Sequence, residues 1–348
     1  MCRLAPLGVS LMLAATACSS DGPDAAPETA VTLRPDAGSW SLPGTLRIPE
    51  AAGGIPCVVL FAGSGPTDRD WLSPLLPGTN GSGRQLAEGL AAKGIGSLRF
   101  DKVGSGKNME HLEVLSLEHY VEEAALAFDF LAARPECARV FLLGHSEGVF
   151  HATGAALARQ SSPSFGGLML LAGASRTMLD TATAQIRQIH ERAGDDMTSV
   201  DAGLASFRRA VTTLPEVTAP DLGRVPEAAA LWRAATDPRQ GKVVRELLLA
   251  DPLEPARAYR GPALVLAAGR DAQVTTADAD TLLAALGSTP ESKRRIVIPN
   301  ANHVLKEETR DPAALTPAQV ATSYTEEGRP LADGVVDAIS AFVVANRK

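Results

Sequence analysis

The stretch that decides the fold is residues 140–148, VFLLGHSEG. Four apolar residues that favour a strand lead into Gly144-x-Ser146-x-Gly148, and the alanine-rich segment 149–159 that follows has helical character. A strand, a sharp turn and a helix in this order are typical of a nucleophile elbow, which exposes a serine Oγ at the end of a sheet. A chance match is the alternative in a chain with 31 glycines. The hypothesis that Ser146 is a nucleophile therefore depends on whether a base and a residue that orients this base occur later in the chain.

Two later segments supply those partners. A serine hydroxyl needs a base within hydrogen-bond reach and a third group that orients the base. The apolar run 262–269 ends just before Asp271, and the run 295–298 leads into a short polar loop that carries His303. The order Ser, Asp, His along the chain is the one that accompanies a nucleophile elbow. We therefore predict a catalytic triad of Ser146, Asp271 and His303. The rival carboxylates have the sequence context of solvated helix or loop residues: Asp251, Asp278 and Asp280.

Hydrolysis also needs backbone donors for the developing oxyanion. We assign one donor to the N–H of Glu147, directly after the nucleophile, and the other to the N–H of Ser64, in the glycine-rich loop 63–65. An ordinary tight turn is the alternative for this loop. It lacks the lysine of a phosphate-binding loop and the third glycine of a dinucleotide fingerprint. The sequence also has no His-Glu-x-x-His or Cys-x-x-Cys spacing. We therefore predict neither a cofactor nor a metal.

Buried apolar runs alternate with amphipathic helical segments over residues 31–174 and 261–348. One such helix repeats its apolar face along 117–131, with Ser116 as its predicted N-cap. This alternation predicts an α/β fold with a mostly parallel sheet and helices on both faces. Between 175 and 260 the alternation stops, and polar helical pieces are separated by Pro and Gly. Since this stretch is too long for a loop, we predict a helical cap over the carboxyl edge of the sheet.

The first 30 residues are expected to lie outside the fold. Residues 1–17 combine Arg3, an apolar core and small residues before Cys18, which is the pattern of a cleaved signal peptide. Residues 13–18, LAATAC, resemble a bacterial lipobox, in which the cysteine is lipidated. Two outcomes remain open: a lipoprotein anchored to the cell envelope through Cys18, or plain secretion after cleavage at the same place. Residues 18–30 are rich in Pro, Ala and Asp and are predicted to form a flexible tether.

Composition reduces the number of possible functions, and the cysteine content indicates a possible disulfide. The 348 residues are 45% hydrophobic and carry a net charge of −7, without a basic cluster that would bind nucleic acid. Removal of residues 1–17 leaves Cys57 and Cys137 besides Cys18. Both precede predicted buried strands. They pair as a disulfide at the far end of the sheet from the active site if those strands are neighbours, and are otherwise two buried thiols.

Several motifs besides the elbow carry a family resemblance. They are GSGPTDRD at 63–70, LRFDK at 98–102, Gly269-x-Asp271-x-x-Val274 and Asn302-His303. With the GHSEG elbow they resemble bacterial α/β-hydrolases of the esterase and serine-aminopeptidase-like group, over roughly residues 40–347. The resemblance implies the α/β-hydrolase fold with an eight-stranded sheet, a Ser-His-Asp triad and no cofactor.

Two positions depart from the family pattern. Ala62 stands where many relatives have histidine, and Val149 stands where a further glycine is common. The first departure concerns the oxyanion loop and the second the floor of the pocket, and neither removes a catalytic group. Asp101-Lys102, in the LRFDK motif, is interpreted as a structural turn with an ion pair available.

The sequence thus predicts an exported serine hydrolase that cleaves small acyl esters, with a membrane contact only through the N-terminal anchor. Its oligomeric state is not predicted. Peptidase, aminopeptidase or thioesterase activity on the same triad is the alternative, because the cap decides the substrate. An aminopeptidase would need a carboxylate in the cap for the substrate amino group, and Asp195 and Asp196 are the candidates. An inactive lipid-anchored binding protein is the alternative from another class.

Overall fold

The computed structural model describes residues 26–35, 40–76, 78–109, 112, 115–214 and 219–348. The predicted signal peptide, 1–17, and the lipidation candidate Cys18 lie outside these residues. Within the described ranges, no helix has both the length and the apolar character required to cross a membrane.

One sheet of eight strands forms the centre of the molecule, in the order β1-β2-β4-β3-β5-β6-β7-β8. Strands β1 and β2 are antiparallel to their neighbours, and the remaining pairs are parallel. The strands are β1 (Glu28–Leu33), β2 (Leu42–Arg47), β3 (Ile55–Phe61), β4 (Gly96–Phe100), β5 (Cys137–His145), β6 (Phe165–Leu171), β7 (Ala263–Ala268) and β8 (Lys293–Ile298). The predicted eight-stranded, mostly parallel sheet is confirmed. Because β1 begins at Glu28, the last three residues of the predicted tether 18–30 belong to the sheet.

Eleven α-helices are present in the described residues. They are α1 (Ser82–Ala92), α2 (Leu117–Ala132), α3 (Gly148–Arg159), α4 (Met178–Ala193), α5 (Met197–Thr213), α6 (Pro226–Thr236), α7 (Gly241–Leu249), α8 (Leu253–Ala258), α9 (Thr276–Ala285), α10 (Pro317–Thr325) and α11 (Val335–Ala345). The Ser116 hydroxyl accepts the N–H of His119 at the start of α2, as its predicted N-cap role requires.

Apolar packing on both faces of the sheet explains why the central strands are continuous hydrophobic runs. Helices α2, α3 and α9 contribute Phe128, Ala152 and Leu282 to the core on one face. Helices α1 and α11 contribute Leu86 and Ile339 to the core on the other face. Strands buried on both sides have no solvent face, so they do not show the alternation of apolar and polar residues.

Helices α4 to α7 lie between β6 and β7 and form a cap with its own apolar cluster, which includes Ile186 and Phe207. The cap was predicted to extend over 175–260. The short helix α8 lies within that range but packs differently, because Ala256 is buried in the sheet core rather than in the cap cluster. Its six residues are too few to show an amphipathic period in the sequence.

A disulfide joins Cys57 of β3 to Cys137 at the start of β5. The two strands are parallel neighbours, and Cys137 lies at the end where β5 enters the sheet. The bond therefore lies at the edge of the sheet opposite the carboxyl ends of the strands.

Candidate active site

Ser146 lies in a strained turn between β5 and α3. Its φ of 54° is in the left-handed region, which few residues other than glycine adopt. A Cβ on Gly144 would lie 2.3 Å from the carbonyl oxygen of Gly148, and a Cβ on Gly148 would lie 2.6 Å from that of Ala62. Both glycines are therefore required, and the turn presents Ser146 at the carboxyl edge of the sheet.

The structure brings together the three side chains predicted as a triad. The Ser146 hydroxyl lies 3.1 Å from His303 Nε2, and His303 Nδ1 lies 2.8 Å from Asp271 Oδ2. The other Asp271 oxygen accepts the N–H groups of Gln273 and Val274 at 2.7 and 2.9 Å. Nδ1 therefore donates to the carboxylate, which leaves Nε2 free to accept the serine proton.

The side chains of Asn302 and His145 hold the loop that carries His303. Asn302 Oδ1 accepts the N–H groups of Val304 and Lys306 at 3.1 and 3.0 Å. His145, inside the elbow, donates from Nε2 to the His303 carbonyl oxygen at 2.7 Å and stacks on Trp71 with ring centroids 4.5 Å apart. Burial, with the charge of His303 as a lesser cause, lowers the pKa of His145 to about 3. His145 is therefore a neutral support for His303, a role that the sequence analysis missed although its place in the elbow was visible.

The two peptide segments predicted to supply the oxyanion donors lie beside the nucleophile. Glu147 follows Ser146 directly, and Gly63 packs so closely that a Cβ there would lie 3.2 Å from Ser146 Cβ. Neither the N–H of Ser64 nor that of Glu147 donates a hydrogen bond to another described residue. Both N–H groups are thus available to a substrate oxygen.

Asp101 and Lys102, interpreted as a structural turn, have separate partners. Asp101 forms the expected kind of ion pair, with Arg69 at 2.6 Å. Lys102 instead reaches the elbow, where its Nζ donates to the Gly63 carbonyl oxygen at 2.7 Å and to Glu147 Oε1 at 3.2 Å.

Comparison with known proteins shows that the chain with this triad matches a protein family. The family model described as serine aminopeptidase, S33, matches residues 79–310, which include the three residues of the triad. The chain belongs to this family. The curated relative esterase EstD of Thermotoga maritima is 28% identical over 265 residues, which cover 76% of this chain and 58% of EstD. The chain therefore spans less than two thirds of the length of EstD.

Solved structures agree with the α/β-hydrolase fold of this S33 member. A dienelactone hydrolase from Anabaena variabilis aligns with a TM-score of 0.51 and 18% identity, over 93% of this chain and 99% of that chain. An esterase from Pyrococcus furiosus aligns with a TM-score of 0.54 and 15% identity, over 93% of this chain and 92% of that chain. At these identities the likeness concerns the fold alone.

A cavity of about 80 Å³ opens onto Ser146 and His303. Its wall is mostly apolar, and the cap contributes Met178 and Leu247 while Val149 of α3 forms part of the lining. Arg176 is the cation in the lining, and Glu147 is the carboxylate. Because the Glu147 carboxylate is paired with Lys102, no free carboxylate from the described residues faces this cavity.

The remaining candidates from the sequence lie elsewhere. Asp195 accepts from His190 Nδ1 at 2.6 Å, and Asp196 accepts the N–H of Thr198 as the N-cap of α5, so neither lines the cavity. The rival carboxylates bind partners outside the triad: Asp280 binds Arg295, and Asp251 binds Arg257. Asp278, which was expected to be solvated, is instead buried and binds Thr275 and Ser175.

Proposed function

We propose that this protein is a serine hydrolase that cleaves esters of small acyl groups through an acyl-enzyme on Ser146. The observation that carries the proposal is the continuous set of contacts from Ser146 through His303 to Asp271, which opens onto a mostly apolar cavity. Similarity to EstD, an esterase, supports the same reaction class.

In the proposed reaction, the Ser146 oxygen attacks the ester carbonyl carbon while His303 Nε2 takes the serine proton. The carbonyl oxygen becomes an oxyanion and is stabilised by the N–H groups of Ser64 and Glu147. His303 then gives the proton to the departing alkoxide, which leaves as an alcohol. A water molecule attacks the acyl-enzyme with His303 as base, releases the carboxylic acid and restores Ser146. Asp271 holds the His303 tautomer and balances the imidazolium charge in both steps.

The charges in the cavity favour an ester over the amino-terminal end of a peptide. An aminopeptidase needs an anionic group that pairs with the substrate ammonium. The carboxylate in the lining, Glu147, faces Lys102 and His151, and the cation in the lining, Arg176, is paired with Asp278. The lining therefore offers no unpaired anion to an ammonium group. A thioester has no ammonium group and remains compatible with this cavity. Intact contacts among all three triad residues argue against an inactive binding protein.

The decisive experiment compares wild type with Ser146→Ala on short p-nitrophenyl esters, acyl thioesters and aminoacyl p-nitroanilides. Wild type is expected to hydrolyse the esters, to react with a fluorophosphonate probe and to leave the anilides intact. Ser146→Ala should lose both ester turnover and labelling, while Ser161→Ala, at an exposed serine near the end of α3, should keep both. Turnover of the anilides ahead of the esters would replace the esterase proposal with an aminopeptidase.

We also propose that the protein is exported and is held at the cell envelope through Cys18 or secreted. Support comes from the signal-peptide pattern of residues 1–17 and from the disulfide between Cys57 and Cys137, since such bonds are usual in oxidising compartments. Metabolic labelling with an alkyne fatty acid tests the anchor. Label on wild type that is lost in Cys18→Ala supports lipidation, and unlabelled protein in the culture medium supports secretion.

A further inference from the structure

A buried ion pair contacts both peptide segments that supply the predicted oxyanion donors. Lys102 and Glu147 have side chains that are 8% and 6% exposed, and their charged groups are 3.2 Å apart. Glu147 Oε1 also accepts from His151 Nε2 at 3.2 Å, and Lys102 Nζ donates to the Gly63 carbonyl oxygen at 2.7 Å. The proposed proton transfers do not use this pair, so its location requires another explanation.

The Gly63 carbonyl belongs to the same peptide unit as the N–H of Ser64. A peptide unit is planar and normally trans, so its C=O and N–H point in opposite directions. An ammonium that fixes the carbonyl oxygen therefore also fixes the direction of the N–H. It also draws electron density toward that oxygen, which makes the N–H a stronger donor, as in other chains of polarised hydrogen bonds.

The second contact of Lys102 reaches the residue that supplies the other donor. Glu147 has its backbone N–H beside Ser146 and its carboxylate on Lys102. Burial would raise the pKa of Glu147, but the charge of Lys102 and the hydrogen bond from His151 lower this pKa to about 2. The carboxylate is thus ionised at neutral pH, and separating it from Lys102 would leave a buried charge unpaired. One ammonium therefore links the two peptide segments that form the oxyanion hole.

We propose that Lys102 is a positioning residue, which aims the N–H groups of Ser64 and Glu147 at the oxyanion through the Gly63 carbonyl and the Glu147 carboxylate. The inference rests on the proposed acyl transfer at Ser146. Full negative charge on the substrate oxygen is present only in the tetrahedral state. Misdirected donors therefore lower kcat and leave KM nearly unchanged.

The test measures kcat and KM on a short p-nitrophenyl ester and the rate constant for inactivation of Ser146 by a fluorophosphonate. Lys102→Met removes the charge and keeps an unbranched side chain that is one atom shorter. We expect kcat to fall by about 10- to 100-fold, with KM within about twofold and the inactivation rate lowered in parallel. Lys102→Arg, which keeps a cationic donor, should restore part of kcat. Glu147→Gln keeps the backbone N–H and should lower kcat by a smaller factor.

Lys293→Met is the matched control. Its Nζ also donates to backbone carbonyl oxygens, those of Leu283 and Leu286 at 2.8 Å each, but at the start of β8 on the opposite edge of the sheet. This variant should keep the wild-type kcat whatever it does to the melting temperature. Thermal melting and the fraction of labelled Ser146 correct every kcat for unfolded protein.

Unchanged kcat in folded Lys102→Met, or a raised KM with kcat intact, overturns the inference. If Lys102→Met does not fold, unchanged kcat in Glu147→Gln overturns it in the same way. If wild type cleaves no ester, the proposed function fails by itself. The inactivation rates still decide the role of Lys102, because equal rates in wild type and variant contradict it.

Discussion

The sheet core and the cap face the same cavity, but different forces hold them together. In β5 and β6 the residues that approach the elbow are buried on both faces, and a disulfide joins β5 to β3. The cap has a smaller apolar cluster around Phe207, and several of its ion pairs lie between exposed side chains, such as Arg187 with Asp201. Exposed pairs of this kind contribute little to stability.

The cap also rests on the core through few contacts. Val243 of α7 packs in a small cluster with Tyr120 of α2, and Glu246 accepts the N–H of Leu117 at 2.7 Å, where it satisfies a free donor at the start of α2. The core thus fixes the reacting atoms, whereas the cap closes the cavity from a separate, less tightly packed unit. Changes in the core are expected to act on kcat or on global stability, and changes in the cap on KM.

The largest effect is expected for Asp271→Asn in the core. An amide in place of the carboxylate favours the wrong tautomer of His303, so kcat should fall by about 10⁴-fold while KM changes little. Steady-state kinetics on a short p-nitrophenyl ester measure this loss. Asp280→Asn is the control, because Asp280 pairs with Arg295 at an exposed position. A loss of less than tenfold in Asp271→Asn would remove Asp271 from the triad.

The next largest effect is expected for removal of the disulfide, which should change the stability of the core but not its catalysis. The disulfide closes a segment of 80 residues. On the loop-entropy model, replacing both cysteines with alanine should lower the free energy of unfolding by about 4.5 kcal/mol. The bond lies at the opposite edge of the sheet from Ser146, so kcat of the folded double variant should equal that of wild type. Urea unfolding and kinetics at low temperature measure the two quantities, and a kcat that falls in fully folded protein would contradict this separation.

The same difference between regions explains what could be predicted from the sequence. The triad was predictable because Ser146, Asp271 and His303 each follow a strand of the parallel part of the sheet, and parallel strands end at one edge. The helical character of the cap was predictable from the polar helical pieces that Pro and Gly separate between 175 and 260. The contact of Lys102 with Gly63 joins residues 39 positions apart, and that of His145 with the His303 carbonyl joins residues 158 apart. Such contacts depend on side-chain directions in the folded molecule, which no local pattern contains.

The role of Asp195 in the cap could not be predicted from the sequence either, because it depends on the contact of Asp195 with His190. With Glu227, it holds His190 at the end of α4: His190 Nδ1 lies 2.6 Å from Asp195 Oδ2, and His190 Nε2 lies 3.1 Å from Glu227 Oε2. The hydrogen bond to Asp195, with burial opposing it and Glu227 adding to it, raises the pKa of His190 above its usual 6.5. The stabilisation of the cap is therefore complete below pH 6.5 and is lost as the pH rises through the raised value.

This effect should be the smallest, because both carboxylates are more than one third exposed and solvent screens them. We expect less than about 1 kcal/mol, reduced further by salt. Hydrogen-exchange protection of α4 and α6, expressed relative to β5 at each pH, should fall above pH 6.5 in wild type and stay level in His190→Gln. KM of wild type should rise relative to that of His190→Gln over the same range, while the ratio of their kcat values stays constant because both share His303. A pH-dependent difference in kcat would mean that the cap also positions the triad, and the division between the two regions would fail.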